Sequence, residues 1–240
     1  MTELEAIEQR QSRRAYLNTP ISDENSQRIE AYIEQLNKAS DLSLQFIKNG
    51  REAFQGINPV YGMFSGVQSY FALVGKQSDK NLREKAGYFG ELLVLEATKL
   101  GLGTCWVGAT FNKNNSPCLI QKDETLVCII TVGNIAEKKS FRENTIYKFV
   151  HRKTKTIEEM YEADSSVPDW FLRGMKAVQK APSAVNKQPV FFRLNGERVT
   201  AAVKNSEGYQ AIDLGIAKAH FEIGAGGKFE LGNGAAFTKS

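Results

Sequence analysis

Three polar side chains near the start of the sequence have the residue types that phosphate binding requires. Arg10 and Arg14 bracket Ser12 at the end of a short predicted helix. A guanidinium donates paired, charge-assisted hydrogen bonds to an anion, and a hydroxyl adds one short neutral donor. Basic turns of this kind are also common on solvated surfaces. The spacing therefore makes these residues candidates for an anion site without assigning one.

A second group of polar residues lies in the sequence Ala-Pro-Ser-Ala-Val-Asn-Lys-Gln-Pro at positions 181–189. Pro182, Ser183 and Asn186 are the residues of this loop that we consider as ligand contacts. A purely structural interpretation, without a ligand, is that the segment is a helix end followed by a polar turn that enters a strand. Trp170 and an apolar helix precede the loop, and a predicted strand follows it.

Two further segments complete the candidate site. The glycines of the stretch from Gly101 to Gly108 allow backbone amides to approach a flat ring. The same stretch fits a helix C-terminus with an ordinary buried tryptophan, and the two interpretations are compatible. The basic run His151-Arg152-Lys153 fits either a phosphate contact or a solvent-facing strand. Cys105 has no neighbouring histidine and is interpreted as a packing residue.

Together these motifs resemble those of the FMN-dependent nitroreductase family, and in particular its single-chain "putative TM nitroreductase" group. The resemblance spans most of the chain. It implies that Arg10, Ser12 and Arg14 hold the FMN phosphate and ribityl chain, and that Arg152 and Lys153 also reach the phosphate. It further implies flavin contacts for the following residues: Pro182, Ser183 and Asn186 at the ring edge and ribityl chain, and the backbone of Gly108 and Ala109 near N5.

The resemblance also implies a reaction that is centred on the flavin. Two electrons would pass from NAD(P)H through FMN to a nitroaromatic, a quinone or a similar small acceptor. No protein nucleophile, general acid or metal is required by this chemistry. Neither of the histidines, His151 and His220, is therefore assigned a catalytic role.

The positions of the motifs predict an unusual domain organisation. In the family, the Arg-x-Ser-x-Arg element and the Ala-Pro-Ser loop that meet at one flavin come from opposite subunits of a homodimer. Here a single chain carries both, so we predict two family-like halves, residues 1–162 and a shortened half at 163–240, with one composite flavin site. Segments 86–90 and 211–215 share only an alanine and a glycine, which is a weak repeat. We expect a monomer, with a homodimer as the alternative.

The resemblance implies an α+β fold of two pseudo-symmetric halves, each with an antiparallel sheet flanked by helices, and the pattern of apolar residues predicts the individual helices and strands. Helices are predicted at residues 24–37, 80–100, 170–180 and 212–223, after a first short helix that a capping box at Thr2 and Glu5 begins. Strands are predicted at 42–47, 68–74, 125–132, 189–194 and 198–203. Residues 104–108 are predicted as a connection, 157–161 as a helical turn, 162–168 as a linker, and the segment from 224 as a glycine-rich tail.

Composition excludes several classes of protein. The net charge of +4 comes from scattered residues and gives no nucleic-acid footprint. Three cysteines without metal-ligand spacing favour a reducing compartment. The first residues of the sequence are acidic and polar, so we expect no targeting segment, and the sequence has no apolar run long enough to span a membrane. We therefore expect a cytoplasmic protein with no membrane or nucleic-acid partner.

Two other functions stay open because the second half is short and ends in a glycine-rich tail, from which we expect the helices that cover the substrate to be reduced or absent. One is a protein that binds FMN or another anionic nucleotide without turnover, in which NAD(P)H would not reduce the bound flavin. The other is an inactive scaffold that has kept the fold for interactions. That alternative predicts a colourless protein with no affinity for flavin.

Overall fold

The computed structural model describes residues 1–54, 64–108, 111–139, 143 and 153–240. The chain forms two compact units. The N-terminal unit comprises Gln9–Lys80 and Leu93–Val150, and the C-terminal unit comprises Met1–Glu8, Asn81–Leu92 and His151–Ser240. Neither unit is one continuous stretch of chain. The predicted halves, residues 1–162 and 163–240, are a different division of the chain, because they describe an internal repeat of the sequence. That division stays a prediction.

The N-terminal unit is built on an antiparallel sheet of four strands. The strands are β1 (Gln45–Ile47), β2 (Ser69–Lys76), β3 (Gly103–Val107) and β4 (Glu124–Gly133), in the order β1-β2-β4-β3. The central strands β2 and β4 are buried along almost their whole length, as their continuous apolar runs require. The long helix of this unit is α2 (Asp23–Ser40), which Ser22 caps by accepting from the amide of Asn25.

One element of this sheet contradicts the prediction. Residues 103–107 form the edge strand β3, paired with β4, and not the predicted connection. The flanking glycines suggested a loop, but Cys105 and Val107 are buried against the sheet. The partner strand lies about two dozen residues away in sequence, so local patterns do not reveal the pairing. The strand predicted at 42–47 is real but shorter, at Gln45–Ile47.

The C-terminal unit contains a five-stranded sheet. Its strands are β5 (Tyr161–Ala163), β6 (Phe191–Asn195), β7 (Arg198–Ala202), β8 (Gly227–Phe229) and β9 (Ala236–Lys239), in the order β5-β6-β7-β9-β8. All pairs are antiparallel except β5 with β6, which is parallel. The strands predicted at 189–194 and 198–203 are confirmed as β6 and β7, which form an antiparallel hairpin around Asn195 and Gly196.

Two expectations for this unit are wrong. The predicted linker at 162–168 begins within β5, and the glycine-rich tail contains β8 and β9. The tail folds because Phe229 and Phe237 join an aromatic core with Phe171, Phe192 and Phe221. Burying these rings provides the stabilisation that the glycines alone would not.

Helices complete the described chain: α1 (Glu3–Gln9), α3 (Leu82–Lys99), α4 (Asp169–Lys180) and α5 (Tyr209–Ala225). The capping box predicted for α1 is present, since Thr2 and Glu5 exchange backbone-to-side-chain hydrogen bonds. The turn predicted at 157–161 is a single 3₁₀ turn at Glu158–Met160. Within the part of the chain described, no helix combines the length and the apolar character needed to cross a bilayer.

The first part of α3, residues 82–92, packs closely on α5 inside the C-terminal unit. A Cβ atom added at Gly87 would lie 2.1 Å from the carbonyl oxygen of Ile212, and one at Gly215 would lie 2.0 Å from that of Glu84. Only glycine fits at such a distance. Residues 82–92 of α3 are therefore in direct contact with α5.

Candidate functional site

The predicted phosphate-binding residues lie on an extended segment that follows the end of α1. Ser12 forms a parallel bridge with Thr104 of β3, and the amide of Arg13 donates to the carbonyl oxygen of Thr104 at 2.8 Å. Successive side chains of an extended chain point to opposite sides. Arg10, Ser12 and Arg14 are accordingly half-buried on one side, whereas Arg13 is buried on the other.

The thiol of Cys105 shows that these three side chains converge. Burial raises the pKa of the Cys105 thiol, while the charges of Arg14 and Arg10 and a hydrogen bond with Ser12 act in the opposite direction. All three predicted residues therefore act on one sulfur atom of β3. Because the net effect is an upward shift of the pKa, Cys105 remains a protonated thiol at neutral pH and is no nucleophile.

A carboxylate that the sequence did not single out fixes this segment. One oxygen of Glu143 accepts hydrogen bonds from Nε of Arg13 at 3.2 Å, from the amide of Arg14 at 2.9 Å and from the amide of Ala15 at 3.2 Å. The Arg13 side chain also donates to the carbonyl oxygen of Ala136 at 3.0 Å. Glu143 lies about 130 residues from its partners in sequence, so no local pattern identifies it.

Lys139 adds a further cation to the same region. Burial, with the neighbouring charge of Arg13 next in importance, lowers the pKa of Lys139. Arg14 and Arg10 act in the same direction, and Glu143 opposes them. These basic residues form a cationic cluster: Arg10, Arg13, Arg14 and Lys139. Glu143 is the carboxylate that acts on Lys139. Such a cluster favours a bound anion, which would relieve the mutual repulsion of the cations.

The loop at residues 181–189 belongs to the C-terminal unit and has an unusual backbone. Val185, Asn186 and Gln188 adopt positive φ angles of 46°, 52° and 46°. Each non-glycine residue in this region costs on the order of 1–3 kcal/mol, and Val185 is β-branched, for which it is rare. The surroundings must therefore hold the loop. The amide of Gln188 donates to Oγ of Ser183, and the amide of Ala184 donates to Oδ1 of Asp213, each at 2.9 Å.

Gln188 carries an unsatisfied donor in this loop. Its side chain is 5% exposed, and its Oε1 accepts from the amide of Lys155 at 2.9 Å. Its Nε2 is buried and has no hydrogen-bond partner within the described residues. A buried donor without an acceptor costs about 1–3 kcal/mol, so such groups commonly mark a ligand or solvent contact. The sequence motif contains Gln188, but its residue type alone did not separate it from the turn.

The predicted site residues divide between the two units. Arg10, Ser12, Arg14 and Gly108 belong to the N-terminal unit; Gly108 directly follows β3 and is half-buried. Lys153, Pro182, Ser183 and Asn186 belong to the C-terminal unit, where Lys153 is exposed and the others are half-buried. Ala109 and Arg152, the other predicted flavin contacts, lie outside the described residues.

The described residues contain few other groups that could take part in chemistry. His220 is fully buried, with one ring nitrogen 2.9 Å from Oε1 of Glu91 and the other 2.9 Å from the carbonyl oxygen of Ala177. This is the environment of a structural histidine. Across the described ranges, no three His, Cys, Asp or Glu residues come together as metal ligands would.

Comparison with known proteins identifies the family. The family model described as "Putative TM nitroreductase" matches residues 3–225. The structure is similar to that of a "putative nitroreductase" from Thermotoga maritima MSB8, with 22% identity, a TM-score of 0.62, and coverage of 99% of this chain and 92% of that chain. No curated protein matches the sequence.

Shorter solved structures match part of the chain. An FMN-dependent nitroreductase from Clostridium difficile R20291 is 18% identical, with a TM-score of 0.46 and coverage of 62% of this chain and 98% of that chain. A nitroreductase with bound FMN from Bacteroides fragilis NCTC 9343 is 17% identical, with a TM-score of 0.46 and coverage of 59% and 92%. The family match over nearly the whole sequence decides the assignment: this chain belongs to the nitroreductase family described as "Putative TM nitroreductase".

Proposed function

We propose that this protein is an FMN-dependent oxidoreductase that passes two electrons from NAD(P)H to a small acceptor such as a nitroaromatic or a quinone. The observation that carries the proposal is the cationic cluster of Arg10, Arg13, Arg14 and Lys139. The charges of Arg10 and Arg14 act both on Lys139 and on the Cys105 thiol, with which Ser12 forms a hydrogen bond, and Glu143, the carboxylate that acts on Lys139, also binds Arg13. The excess of positive charge in this cluster favours binding of the doubly negative phosphate of FMN.

The described residues fit the two chemically distinct ends of FMN. The cationic cluster supplies charge and hydrogen-bond donors for the phosphate. The loop at 181–189 supplies neutral donors, among them the unsatisfied Nε2 of Gln188, and the edge of a flavin ring carries oxygen and nitrogen acceptors. We propose that Pro182, Ser183 and Asn186 contribute to the same contact. That one flavin uses both elements stays a sequence-based prediction.

The protein residues would bind and orient the cofactor and would not react themselves. FMN, when bound, would supply the hydride-transfer and electron-transfer chemistry. The Cys105 thiol is kept neutral by burial, and the His220 ring is held between Glu91 and Ala177. The backbone of Gly108, at the end of β3, is the group that we propose to face N5.

An absorbance experiment tests this function. The purified protein is incubated with FMN, desalted, and scanned across the flavin bands before and after NADH or NADPH is added without oxygen. The proposal predicts retained flavin bands that bleach on addition of either nicotinamide. Bands that persist would indicate an FMN-binding protein without turnover, and colourless protein would favour the scaffold.

The oligomeric state remains a separate proposal. We propose a monomer, because the single chain carries both motifs that the usual homodimer brings together. Light scattering coupled to gel filtration measures the mass directly. A mass near 27 kDa would support the monomer, whereas twice that value would show a homodimer.

A further inference from the structure

We propose that Asp213 is a positioning residue that holds the loop at 181–189 in its binding conformation, and that its negative charge increases the affinity for FMN. This inference rests on the proposed function for the FMN part. It concerns a residue of α5 that lies outside the motifs to which flavin contacts were assigned. Its side chain contacts the loop and not the proposed cofactor.

The loop needs an external anchor because its backbone is strained. Three of the four residues from Val185 to Gln188 have positive φ angles, and none of them is glycine. Val185 is also 50% exposed, so burial of its side chain does not offset the strain. Without contacts from outside, the segment would relax towards an ordinary turn.

Some hydrogen bonds of this segment join two residues of the loop, so they move with the loop and cannot anchor it to the rest of the protein. The amide of Gln188 donates to Oγ of Ser183 at 2.9 Å, and the amides of Asn186 and Lys187 donate to Ser183 and Ala184 carbonyl oxygens at 3.0 and 3.1 Å. Lys155 binds the other end of the loop: its amide and its Nζ donate to Oε1 and the carbonyl oxygen of Gln188, both at 2.9 Å. Lys155 itself lies in an irregular segment.

Asp213 differs from these groups because it projects from a rigid helix. Its Oδ1 accepts from the amide of Ala184 at 2.9 Å, at the point where the strained residues begin. Asp213 is 5% exposed on α5, and its neighbours in sequence, Ile212 and Leu214, are buried as well. The close approach of Gly215 to α3 fixes this part of α5. Burial of an acid costs free energy, and the hydrogen bond from the loop amide of Ala184 partly offsets that cost.

The charge of Asp213 changes close to neutral pH. Burial raises the pKa of Asp213 to about 6, while the amide of Ala184 and the Lys187 ammonium act in the opposite direction. Lys187, which lies on the loop, is the charged group that acts on this carboxyl. A carboxylate accepts a stronger hydrogen bond than a neutral acid. The anchor should therefore weaken as the pH falls through about 6.

The first test is FMN affinity measured by flavin fluorescence in the wild type, Asp213→Ala and Asp213→Asn. Loss of a hydrogen bond to a charged group predicts that Asp213→Ala weakens FMN binding at pH 7.5 by about tenfold or more. Asp213→Asn keeps an oxygen acceptor without the charge and should lie between the two. Equal affinity of Asp213→Ala and the wild type would overturn the proposal.

A pH profile separates positioning from a general loss of stability. The FMN phosphate titrates near pH 6 as well, but this effect is common to both proteins and cancels in the ratio of wild-type to Asp213→Asn affinity. The ratio should rise as the pH increases through about 6 and then level off. A ratio that does not change with pH would overturn the role of the charge.

Tryptic cleavage after Lys187 reports the state of the loop in the absence of FMN. Mass spectrometry of the early fragments should show faster cleavage there in Asp213→Ala than in the wild type. Ile216→Val is the matched control, because it weakens the packing of the same helix at a buried position and leaves the Asp213 carboxylate in place. Equal cleavage in Asp213→Ala and the wild type, or equal acceleration in Ile216→Val, would overturn the positioning role.

The two arms distinguish failure of the inference from failure of the proposed function. If the wild type itself does not bind FMN, the proposed function fails, and the cleavage comparison alone decides whether Asp213 holds the loop. If the wild type binds FMN and the Asp213 variants bind it equally well, the proposed function stands and the inference is refuted.

Discussion

Replacing Lys218 with methionine should strongly destabilise the protein, because it breaks a buried ion pair on one side only. The Lys218 side chain is 1% exposed and its Nζ lies 2.6 Å from Oε1 of Glu84, which is 5% exposed. Nζ also donates to the carbonyl oxygens of Glu230 and Gly232 at 3.0 and 2.8 Å. The variant would leave a buried carboxylate and two carbonyl groups without their cation.

The magnitude follows from these contacts. Removing one partner of a buried pair costs about 3–5 kcal/mol, because the other charge remains buried. Glu84 keeps one contact, the Gly232 amide at 2.9 Å from its Oε2, so we expect a loss of about 3 kcal/mol. For a chain of this length that corresponds to a decrease in Tm of roughly 6–12 °C.

Urea unfolding of a double-mutant cycle provides the assay. Lys218→Met combined with Glu84→Gln removes both charges and should recover part of the loss, giving a coupling energy of about 1 kcal/mol or more. Lys38→Ala is the control, since its pair with Glu34 is exposed and should contribute under about 0.5 kcal/mol. A loss for Lys218→Met as small as that of the control would refute the reasoning.

The sign of the pH dependence gives an independent check on this site. Burial lowers the pKa of Lys218, and the hydrogen bond and charge of Glu84 only partly oppose it. A lysine whose pKa is lower in the folded state than in the unfolded state binds fewer protons when folded. Its contribution to the free energy of unfolding therefore increases with pH, from the lowered folded-state pKa up to the unfolded value.

Two further predictions concern the N-terminal unit. Glu143→Ala should destabilise the protein by about 3 kcal/mol in urea unfolding, because it leaves the buried Arg13 charge and two amides without their acceptor; a loss below about 0.5 kcal/mol, as expected for Lys38→Ala, would contradict the assigned anchoring. Cys105 should react with iodoacetamide at pH 7.5 much more slowly than half-buried Cys118, because it is 4% exposed and burial raises its thiol pKa. Peptide mapping of the labelled protein would refute this if Cys105 were modified first.

Sequence patterns predicted the long elements well because their signals are local. The apolar stripe of α2, the hydrophobic run of β4 and the Asn195-Gly196 turn each occur within one short stretch of sequence. The edge strand β3 was missed because its identity as a strand depends on pairing with β4. The tail strands β8 and β9 were missed for a related reason, since they fold by packing Phe229 and Phe237 into the aromatic core.

In the candidate site, too, the sequence revealed the residues of local motifs but not the residues that bind them from elsewhere in the chain. Arg10, Ser12 and Arg14 were recognised from a short motif, and the structure brings them together around Cys105. Glu143 and Asp213 each hold one of the recognised segments by hydrogen bonds from a distant part of the chain. Nothing in their own neighbourhoods distinguishes them from other acidic residues. Motif recognition therefore selected the groups that we propose to touch a ligand, whereas the acidic residues that bind their backbone amides became visible only in the structure.

The most direct test of the central claim is the affinity of FMN and of riboflavin, which lacks the phosphate, for the wild type and Arg10→Ala. If the cationic cluster binds the phosphate, Arg10→Ala should weaken FMN binding by about 2 kcal/mol, roughly thirtyfold. Riboflavin binding should be nearly unchanged. An equal loss for both flavins, or no loss for FMN, would contradict the assignment of the phosphate to this cluster.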